Sequence, residues 1–408
     1  MLVKSLTKIS FVGLGNVFNA GLGFLFVAAV ARNISVEDFG KYALLTTILV
    51  STAKITDFGT NSLFVAHSIT KSQNMINKFF TLKLYLFTFA FPISLAILYF
   101  LNLADFELLV IFILGFIGYS LNFALFGLFQ KIERYNMLIA LNTIPASIKG
   151  IFALFMFGGL VELNLQQAFI IFACGILPSA FLYFYLPPEL KKFKIDRKDL
   201  KEYFLQTFPA GTSQLMGEGW SAISNSIAKI AKDFSNVGVF YLADKISSVF
   251  SLVSLSIFTV LLPKNAIRKR EHQGYDFRET GILSVGILFL SGIAIILAKI
   301  IIPMFFGAEY AGSAAIIDFT ILANAFMAIH TFMENYFYIE GKTGALMYIS
   351  LIRLATLLLL SFILIPILSL SGLALAQLSA AFVATITTLT FMLAYSKKGK
   401  PQLMSNQL

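Results

Sequence analysis

Charged residues are scarce in this sequence, and that scarcity excludes a soluble fold. Lys, Arg, Asp and Glu together make up 13% of the 408 residues, whereas 58% of the residues are hydrophobic. A soluble domain has roughly 25% charged residues and 45–50% apolar residues. No soluble fold of this length can hide so much apolar surface, so the bilayer must be the solvent for most of the chain.

Cysteine and histidine are also scarce, which excludes most metal and redox chemistry. The single cysteine, Cys174, lies inside an apolar run, so no disulfide can form within one chain. The three histidines, His67, His272 and His330, are too far apart in the sequence to predict a zinc site.

Two glycine motifs resemble nucleotide-binding loops, and each fails at a defining position. The run Gly341–Thr343 resembles the end of a P-loop, but Tyr336 occupies the position of the first glycine. A dinucleotide motif that starts at Gly13 lacks its third glycine, because Phe18 stands there. The sequence therefore predicts no enzyme activity and no cofactor.

Long apolar runs predict an all-α membrane protein. Backbone groups in hydrocarbon have no water to bond, so a spanning segment must be a helix or part of a closed barrel. Runs of roughly 20 residues without polar alternation select helices. We predict about twelve spans, at 9–31, 42–66, 79–101, 107–130, 137–158, 166–186, 205–231, 238–262, 281–305, 313–336, 345–368 and 372–395.

Lysine and arginine are distributed unevenly between the two sets of loops. One set, which includes both termini, holds 21 of them, whereas the opposite set holds few, among them Arg32 and Lys41. Basic loops remain on the cytoplasmic side of a membrane. The asymmetry predicts that both termini are cytoplasmic, and it accounts for the net charge of +10 without nucleic acid as a partner.

A polar stretch near the middle of the chain divides the predicted spans into two halves of six. A short repeat supports this division, because Gly40–Leu44 and Gly238–Leu242 both run from glycine to leucine around an aromatic residue. Six spans per half give the two halves parallel topology. The predicted domains are an N-terminal bundle, a cytoplasmic linker, a C-terminal bundle and a cytoplasmic tail, at 1–186, 187–204, 205–395 and 396–408.

Four segments, spread along the whole chain, resemble a known family of membrane proteins. Ala31–Tyr42 resembles the first outer loop of polysaccharide flippases, and Asp57–Gly59 fits the same pattern. The segments 193–209 and Phe306–Tyr310 resemble further parts of it. In their order and spacing they resemble the polysaccharide transporter branch of the multidrug/oligosaccharidyl-lipid/polysaccharide exporter superfamily.

The resemblance implies an all-α fold of two six-helix bundles around a central cavity, working by alternating access. It implies a flippase for undecaprenyl-pyrophosphate-linked oligosaccharide repeat units in the bacterial inner membrane, serving synthesis of O-antigen lipopolysaccharide, capsule or exopolysaccharide. The expected partners are the lipid-linked substrate, the bilayer lipids, and the polymerase and glycosyltransferases of that synthesis. The family has no fixed catalytic motif, so the resemblance itself assigns no site residue.

Three basic residues fall near the middle of predicted spans, namely Lys54, Lys149 and Arg353. Each costs roughly 2.5–3.5 kcal/mol at mid-helix, so something must offset the charge. A water-filled cavity that binds a lipid pyrophosphate would do so. The alternative is pairing within the protein, and Asp57 lies three residues from Lys54 on the same helical face. Lys149 and Arg353 have no acidic residue at such a spacing, and we expect them to line the cavity.

Polar residues follow one face of the seventh predicted span. They recur at helical spacing as Gln214, Glu218, Ser221 and Asn225. Such a stripe lines either the cavity or a contact between helices. Glu218 lies between two glycines where the backbone can bend, and we assign it, with Asp57, as a candidate for binding a coupling proton or sodium ion. Gln214 and Asn16 are candidates for contact with the substrate.

Three other classes of protein fit the same composition, and one of them is a structural scaffold in a polysaccharide assembly complex, with which the sequence is also compatible. A multidrug exporter of the same superfamily would favour an acidic cavity for cationic drugs, whereas the three mid-span charges here are basic. A membrane-embedded polysaccharide polymerase or glycosyltransferase would carry a large outer loop or a soluble catalytic domain. The predicted outer loops are too short to form such a loop or such a domain, which favours the flippase over the enzyme.

The loop asymmetry generates a prediction about topology. Single cysteines placed at Asn102 and Gly159 should react with an impermeant maleimide in intact cells, because both loops are predicted to lie outside. A cysteine at Lys194 should react only after permeabilisation. Labelling of the Lys194 position in intact cells would show that the orientation is inverted.

Overall fold

The computed structural model describes residues 2–61, 63–64, 74–192, 194–251, 275–340 and 342–398, together with isolated positions between 252 and 274. Within these residues the regular structure is helical, with no strand. The prediction of an all-α membrane protein is therefore confirmed, as expected for a chain whose backbone groups must bond to one another inside a bilayer.

Fourteen α-helices account for most of the described residues. We number them in chain order: α1 Leu2–Asn33, α2 Val36–Ile55, α3 Asn74–Phe100, α4 Phe106–Lys131, α5 Tyr135–Phe157, α6 Leu165–Cys174, α7 Pro188–Lys191, α8 Leu200–Glu218, α9 Trp220–Ala231, α10 Phe234–Ser247, α11 Phe277–Phe306, α12 Ala311–Glu340, α13 Thr343–Leu368 and α14 Leu370–Lys398. A 3₁₀-helix at Leu177–Tyr185 continues the path of α6.

Eight helical segments are long and apolar enough to cross a membrane. They are Met75–Phe100, Phe106–Lys131, Tyr135–Phe157, Leu165–Tyr185, Phe277–Phe306, Ala308–Phe337, Gly344–Leu368 and Leu370–Ser396. Each coincides with a predicted span to within a few residues. The chain is thus a multi-pass membrane protein, and the count of about twelve stays a prediction, because the other four predicted spans are shorter, interrupted or partly outside the described residues.

The chain divides into two compact units. Unit 1 consists of Met1–Lys245 and Ile301–Ala314, and unit 2 consists of Ile246–Ile300 and Ala315–Leu408. Helices α8 and α9, and α10 as far as Lys245, therefore belong to unit 1. The predicted division into two six-helix bundles on either side of the linker stays a prediction.

The second predicted span is broken at Thr56–Gly59. Phe58 and Gly59 have φ angles of 32° and 73°, in the left-handed region that ends a helix. The Asp57 carboxylate then accepts hydrogen bonds from the Thr60 hydroxyl and the Asn61 amide, both at 3.2 Å. Asp57 thus caps the helical turn that follows, which satisfies the backbone donor of Asn61 that lipid cannot satisfy.

The break packs against α8, and glycines make the approach possible. A methyl group on Gly211 would lie 2.6 Å from the carbonyl oxygen of Phe58, and one on Gly59 would lie 2.9 Å from the amide nitrogen of Gly211. The ring of Phe58 stacks on Phe204 and meets Phe208 edge-on, with centroids 5.8 Å away in each case. The Asp57–Gly59 motif therefore links α2 to α8.

The two copies of the sequence repeat meet within unit 1. Gly40 of α2 lies directly against the backbone of Phe234 and Gly238 at the start of α10, where a β-carbon on either glycine would clash. The Ser313 hydroxyl donates to the carbonyl of Val239 at 2.7 Å. The repeat therefore marks a backbone contact that needs glycine on both sides.

The glycine contact between α2 and α8 generates a prediction about stability. Gly211→Ala should destabilise the purified protein by about 1–3 kcal/mol, because the added methyl group meets rigid backbone. Thermal unfolding in detergent would measure the loss. The matched control is Gly217→Ala in the same helix, where a β-carbon meets no atom within 4 Å. Equal melting temperatures for the two variants would contradict the packing.

Candidate functional site

A group of buried charges lies at the break in the second predicted span. The Asp57 carboxylate is 3.6 Å from the Lys54 ammonium and 3.3 Å from the Lys83 ammonium. The predicted pairing of Lys54 with Asp57 is confirmed, and Lys83 of α3 is an additional partner. Lys83 also donates to the carbonyl of Thr56 at 3.4 Å, so it stabilises the break directly.

Aromatic rings cover both lysines of this group. The Lys54 ammonium lies 4.5 Å from the centroid of the Phe123 ring, and the Lys83 ammonium lies 4.8 Å from that of Phe79. Such cation–π contacts stabilise a desolvated ammonium by about 2 kcal/mol. The group supports a structural role for Lys54, while contact of Lys54 with substrate and ion binding by Asp57 remain predictions.

The polar face of the seventh predicted span contacts other helices of unit 1. The helix is interrupted at Gly219, between α8 and α9, at the predicted bend. The Ser221 hydroxyl donates to Asp244 at 3.1 Å, and the Asn225 amide donates to the Thr47 hydroxyl at 3.4 Å. These bonds form a seam between helices.

Two predicted site residues of this face, and Asn16 of α1, are less fully determined. Gln214 is partly buried in α8 and has contacts of its own. The side chains of Asn16 and Glu218 lie outside the described part of the structure. Their predicted roles at the substrate and the coupling ion therefore stay predictions.

A second group of basic and aromatic residues occupies the interior of unit 1. The Lys149 ammonium of α5 lies 4.6 Å from the centroid of the Phe172 ring. Lys245 of α10 hydrogen-bonds to Tyr241 and is close enough to Lys149 for the two ammoniums to repel each other. Two like charges in one buried place leave an excess that an anion would offset.

Tyrosines surround the two lysines. The rings of Tyr42 and Tyr119 each lie 6.0 Å from the ring of Phe172, and Tyr241 is near enough to both tyrosines for electrostatic interaction. Tyr42 and Tyr241 are buried, with 0% and 2% of their surface exposed. The Tyr42 hydroxyl has no hydrogen-bond partner among the described residues, so a buried donor here is available to a ligand.

We call Lys149, Lys245, Tyr42, Tyr119 and Tyr241 the lysine–tyrosine cluster. Ammonium and phenol groups are hydrogen-bond donors that suit oxyanions such as phosphate. The Asp244 carboxylate lies beside Lys245 and accepts from Ser221, which leaves the cluster with one net positive charge. The donors of the cluster are chemically suited to an anionic group.

Arg353 occupies unit 2, in α13, with 5% of its surface exposed. Its guanidinium donates to the sulfur of Met327 at 3.3 Å and interacts electrostatically with Glu334 of α12. A carboxylate from another helix therefore faces it, as the internal-pairing alternative expects. Lys149 and Arg353 lie in different units, and their predicted placement on opposite walls of one cavity stays a prediction.

Sequence reasoning missed Lys83 and Lys245. Both fall inside predicted spans but away from the midplane, and the cost of a charge in the bilayer applies to them as it does to Lys54 and Lys149. The tyrosines carried no such signal, because aromatic residues are frequent throughout an apolar chain. Only the fold brings their hydroxyls to the two lysines.

Sequence comparisons identify relatives over most of the chain. Residues 5–267 match the model of a family described as polysaccharide biosynthesis protein. The capsular polysaccharide biosynthesis protein CapF of Staphylococcus aureus is 23% identical over 385 residues, which cover 91% of this chain and 95% of CapF.

Solved structures with a similar fold are transporters. The lipid II flippase MurJ in an inward closed conformation superimposes with a TM-score of 0.75 at 15% identity, covering 93% of this chain and 87% of MurJ. An inward-facing multidrug resistance transporter of the MATE family gives a TM-score of 0.70 at 14% identity, covering 94% of this chain and 96% of its own. At these identities the likeness concerns the fold.

The charge group at the helix break generates a prediction. Asp57→Asn should lower the amount of folded protein in the membrane severalfold, because it leaves two buried ammoniums without their carboxylate, a loss of about 3–5 kcal/mol. Quantitative blotting and melting temperature in detergent would measure it. Asp105→Asn is the control, since Asp105 is exposed and its side chain makes no cap hydrogen bond. Wild-type stability of the Asp57 variant would contradict the structural role.

Proposed function

The chain belongs to the polysaccharide biosynthesis protein family, and we propose that it flips an undecaprenyl-pyrophosphate-linked oligosaccharide repeat unit across the bacterial inner membrane. It is a membrane transporter and not an enzyme. The observation that carries the proposed cargo is the lysine–tyrosine cluster, which offers ammonium and phenol donors inside a membrane-spanning unit. A pyrophosphate linkage presents the oxyanions that such donors bind.

In this proposal the cluster binds the pyrophosphate of the cargo, so the protein needs no separate pocket for each sugar. Charge-assisted hydrogen bonds to the phosphate oxygens are about twice as strong as neutral ones and strengthen where water is excluded. Repeat units of differing sugars share the same lipid pyrophosphate. A site for that shared group binds the cargo irrespective of the sugar, which suits a family named for polysaccharide synthesis.

The transport cycle in this proposal is alternating access. In this proposal Lys149 and Arg353 line the central cavity and contact the pyrophosphate during the cycle. Asn16, Gln214 and Lys54 would line the same cavity. The glycosyltransferases that build the repeat unit act before this step on the cytoplasmic side, where both termini are proposed to lie, and the polymerase acts after it.

A multidrug exporter is the competing function, and the MATE-like fold is compatible with it. A cationic drug would be repelled by two ammoniums with one carboxylate nearby, whereas an anionic lipid would be attracted. The two functions therefore differ in the sign of the cargo. Transport of a fluorescent cationic dye, measured beside that of a lipid pyrophosphate, separates them.

The cluster generates a prediction for transport. Lys149→Gln and Lys245→Gln should each lower flipping per folded molecule by about tenfold or more, because a hydrogen bond to a charged group contributes about 1.5–3 kcal/mol. The double variant should lose little more than either single one, because both lysines bind one group. The measurement is flipping of a fluorescent polyprenyl pyrophosphate saccharide in proteoliposomes, normalised to folded protein.

Lys229→Gln provides the matched control. Lys229 of α9 is also partly buried in unit 1 and also lies over an aromatic ring, at 4.0 Å from the centroid of Phe234. It is not a member of the cluster, so flipping should be unchanged. Normal flipping by both cluster variants would remove the cluster from the mechanism, and dye export without lipid flipping would favour the multidrug function.

A further inference from the structure

Two basic side chains meet at one end of a membrane-spanning segment of unit 1. The candidate span Leu165–Tyr185 ends as a 3₁₀-helix, whose last two residues are Phe184 and Tyr185. The Arg134 guanidinium donates to the carbonyl of Tyr185 at 2.7 Å, and the Lys191 ammonium donates to the carbonyl of Phe184 at 3.0 Å. Because these carbonyls belong to consecutive residues, the two cations lie beside each other.

These two hydrogen bonds use only part of what each cation offers. The last carbonyls of a helix have no partner within the helix, so basic side chains often bond to them. A guanidinium and an ammonium each carry several N–H donors, of which one carbonyl uses one. Among the described residues, the polar contacts of Arg134 and Lys191 include no carboxylate. Both cations therefore keep donors and charge that an anion can use.

The pair lies at the depth of the lipid headgroups. Arg134 directly precedes the candidate span Tyr135–Phe157, and Lys191 follows the end of Leu165–Tyr185 by six residues. Spans end where hydrocarbon gives way to headgroups, and tyrosine is enriched there. The Lys191 ammonium lies 5.6 Å from the centroid of the Tyr183 ring, which is an arrangement typical of this interface.

The surface beside the pair faces lipid. On one side of this stretch, Leu182, Leu186 and Leu190 are buried in the core of unit 1. On the other side, Phe181 and Phe184 are each 70% exposed. Because exposed apolar rings at the end of a span contact acyl chains, a lipid that packs on them brings its headgroup close to the two cations.

We propose that Arg134 and Lys191 bind the phosphate of an anionic phospholipid in the leaflet at this end of the span. A guanidinium can donate two parallel hydrogen bonds to phosphate oxygens, and an ammonium beside it adds a further charge-assisted bond. In the orientation proposed above, this is the cytoplasmic leaflet. Lys191 ends α7, at the start of the predicted linker, so the lipid connects the linker to the transmembrane helices.

General attraction between basic loops and an anionic membrane is the alternative. Every lysine or arginine near the surface contributes to that attraction, whichever segment carries it. Lys198 separates the two ideas, because it is an exposed lysine of the same linker whose side chain has no described contact with the end of the 3₁₀-helix. A specific site depends on Arg134 and Lys191, whereas general attraction depends on Lys198 equally.

Binding of phosphatidylglycerol to the purified full chain measures the site. Native mass spectrometry in detergent should show phosphatidylglycerol retained in preference to phosphatidylcholine. Arg134→Gln and Lys191→Gln should each weaken this binding about tenfold, because a hydrogen bond to a charged group is lost. Lys198→Gln removes the same charge and should leave the binding unchanged. Equal weakening by all three variants, or weakening by none, would overturn the site.

A purely structural role for the two cations predicts a different result. Loss of a bond to Phe184 or Tyr185 would then lower the melting temperature equally in nanodiscs of either lipid. The site predicts that the wild-type chain melts at a higher temperature in phosphatidylglycerol than in phosphatidylcholine, and that Arg134→Gln abolishes this difference. Arg134→Lys keeps the charge and should restore part of it. An undiminished difference in Arg134→Gln would contradict the proposal.

The pyrophosphate of the proposed cargo has similar chemistry, and a second binding measurement separates the two sources. Arg134→Gln should leave the affinity for the fluorescent polyprenyl pyrophosphate saccharide unchanged, because that group is proposed to bind at the lysine–tyrosine cluster. A tenfold loss of affinity for the saccharide in this variant would assign the site to the cargo and overturn the phospholipid proposal. Both measurements concern binding, so their results do not depend on whether the chain flips the saccharide.

Discussion

Inside a bilayer a charged or polar group cannot bond to water, and the rest of this fold depends on that constraint. An unpaired charge in hydrocarbon costs several kcal/mol, so each one described in the spans lies against a compensating group. Asp57 is enclosed by two ammoniums, and Lys299 is paired with Asp318. Lys149 lies on the face of Phe172. Because of the same constraint, a buried site with excess charge indicates a function, since the excess charge does not contribute to stability.

Eight of the spans could be predicted because they depend on composition over about 20 residues, which is a local property of the chain. The pairing of Lys54 with Asp57 was predictable for the same reason, since three residues separate them on one helix. Lys83 could not be assigned to that pair, because its span is separate and only tertiary packing aligns it. The left-handed turn at Phe58 also lay beyond the local pattern, since a non-glycine residue seldom adopts it.

Only some residues of the candidate site could be predicted from the sequence. Lys149 stood out because it has no acidic neighbour on its own helix, whereas Lys245 follows Asp244 directly and looks like part of an ordinary polar end. The sequence does not distinguish Tyr42 from the many other aromatic residues, and only the groups that surround its buried hydroxyl in the fold indicate a role for it. Arg353 was found by the same rule as Lys149, but its carboxylate neighbour Glu334 comes from another helix and could not be read from spacing.

The charge group at Asp57 also bears on how the chain enters the membrane during its synthesis. The segment with Lys54 and Asp57 leaves the ribosome before the segment with Lys83. Because it carries two opposite charges beside a glycine turn, it inserts poorly into lipid by itself. Lys83 follows 26 residues after Asp57, on the very next segment to emerge. The two segments can therefore leave the translocon as a pair with the carboxylate already neutralised. Exchanging or lengthening the loop between them would disturb biogenesis even where the finished protein tolerates the change.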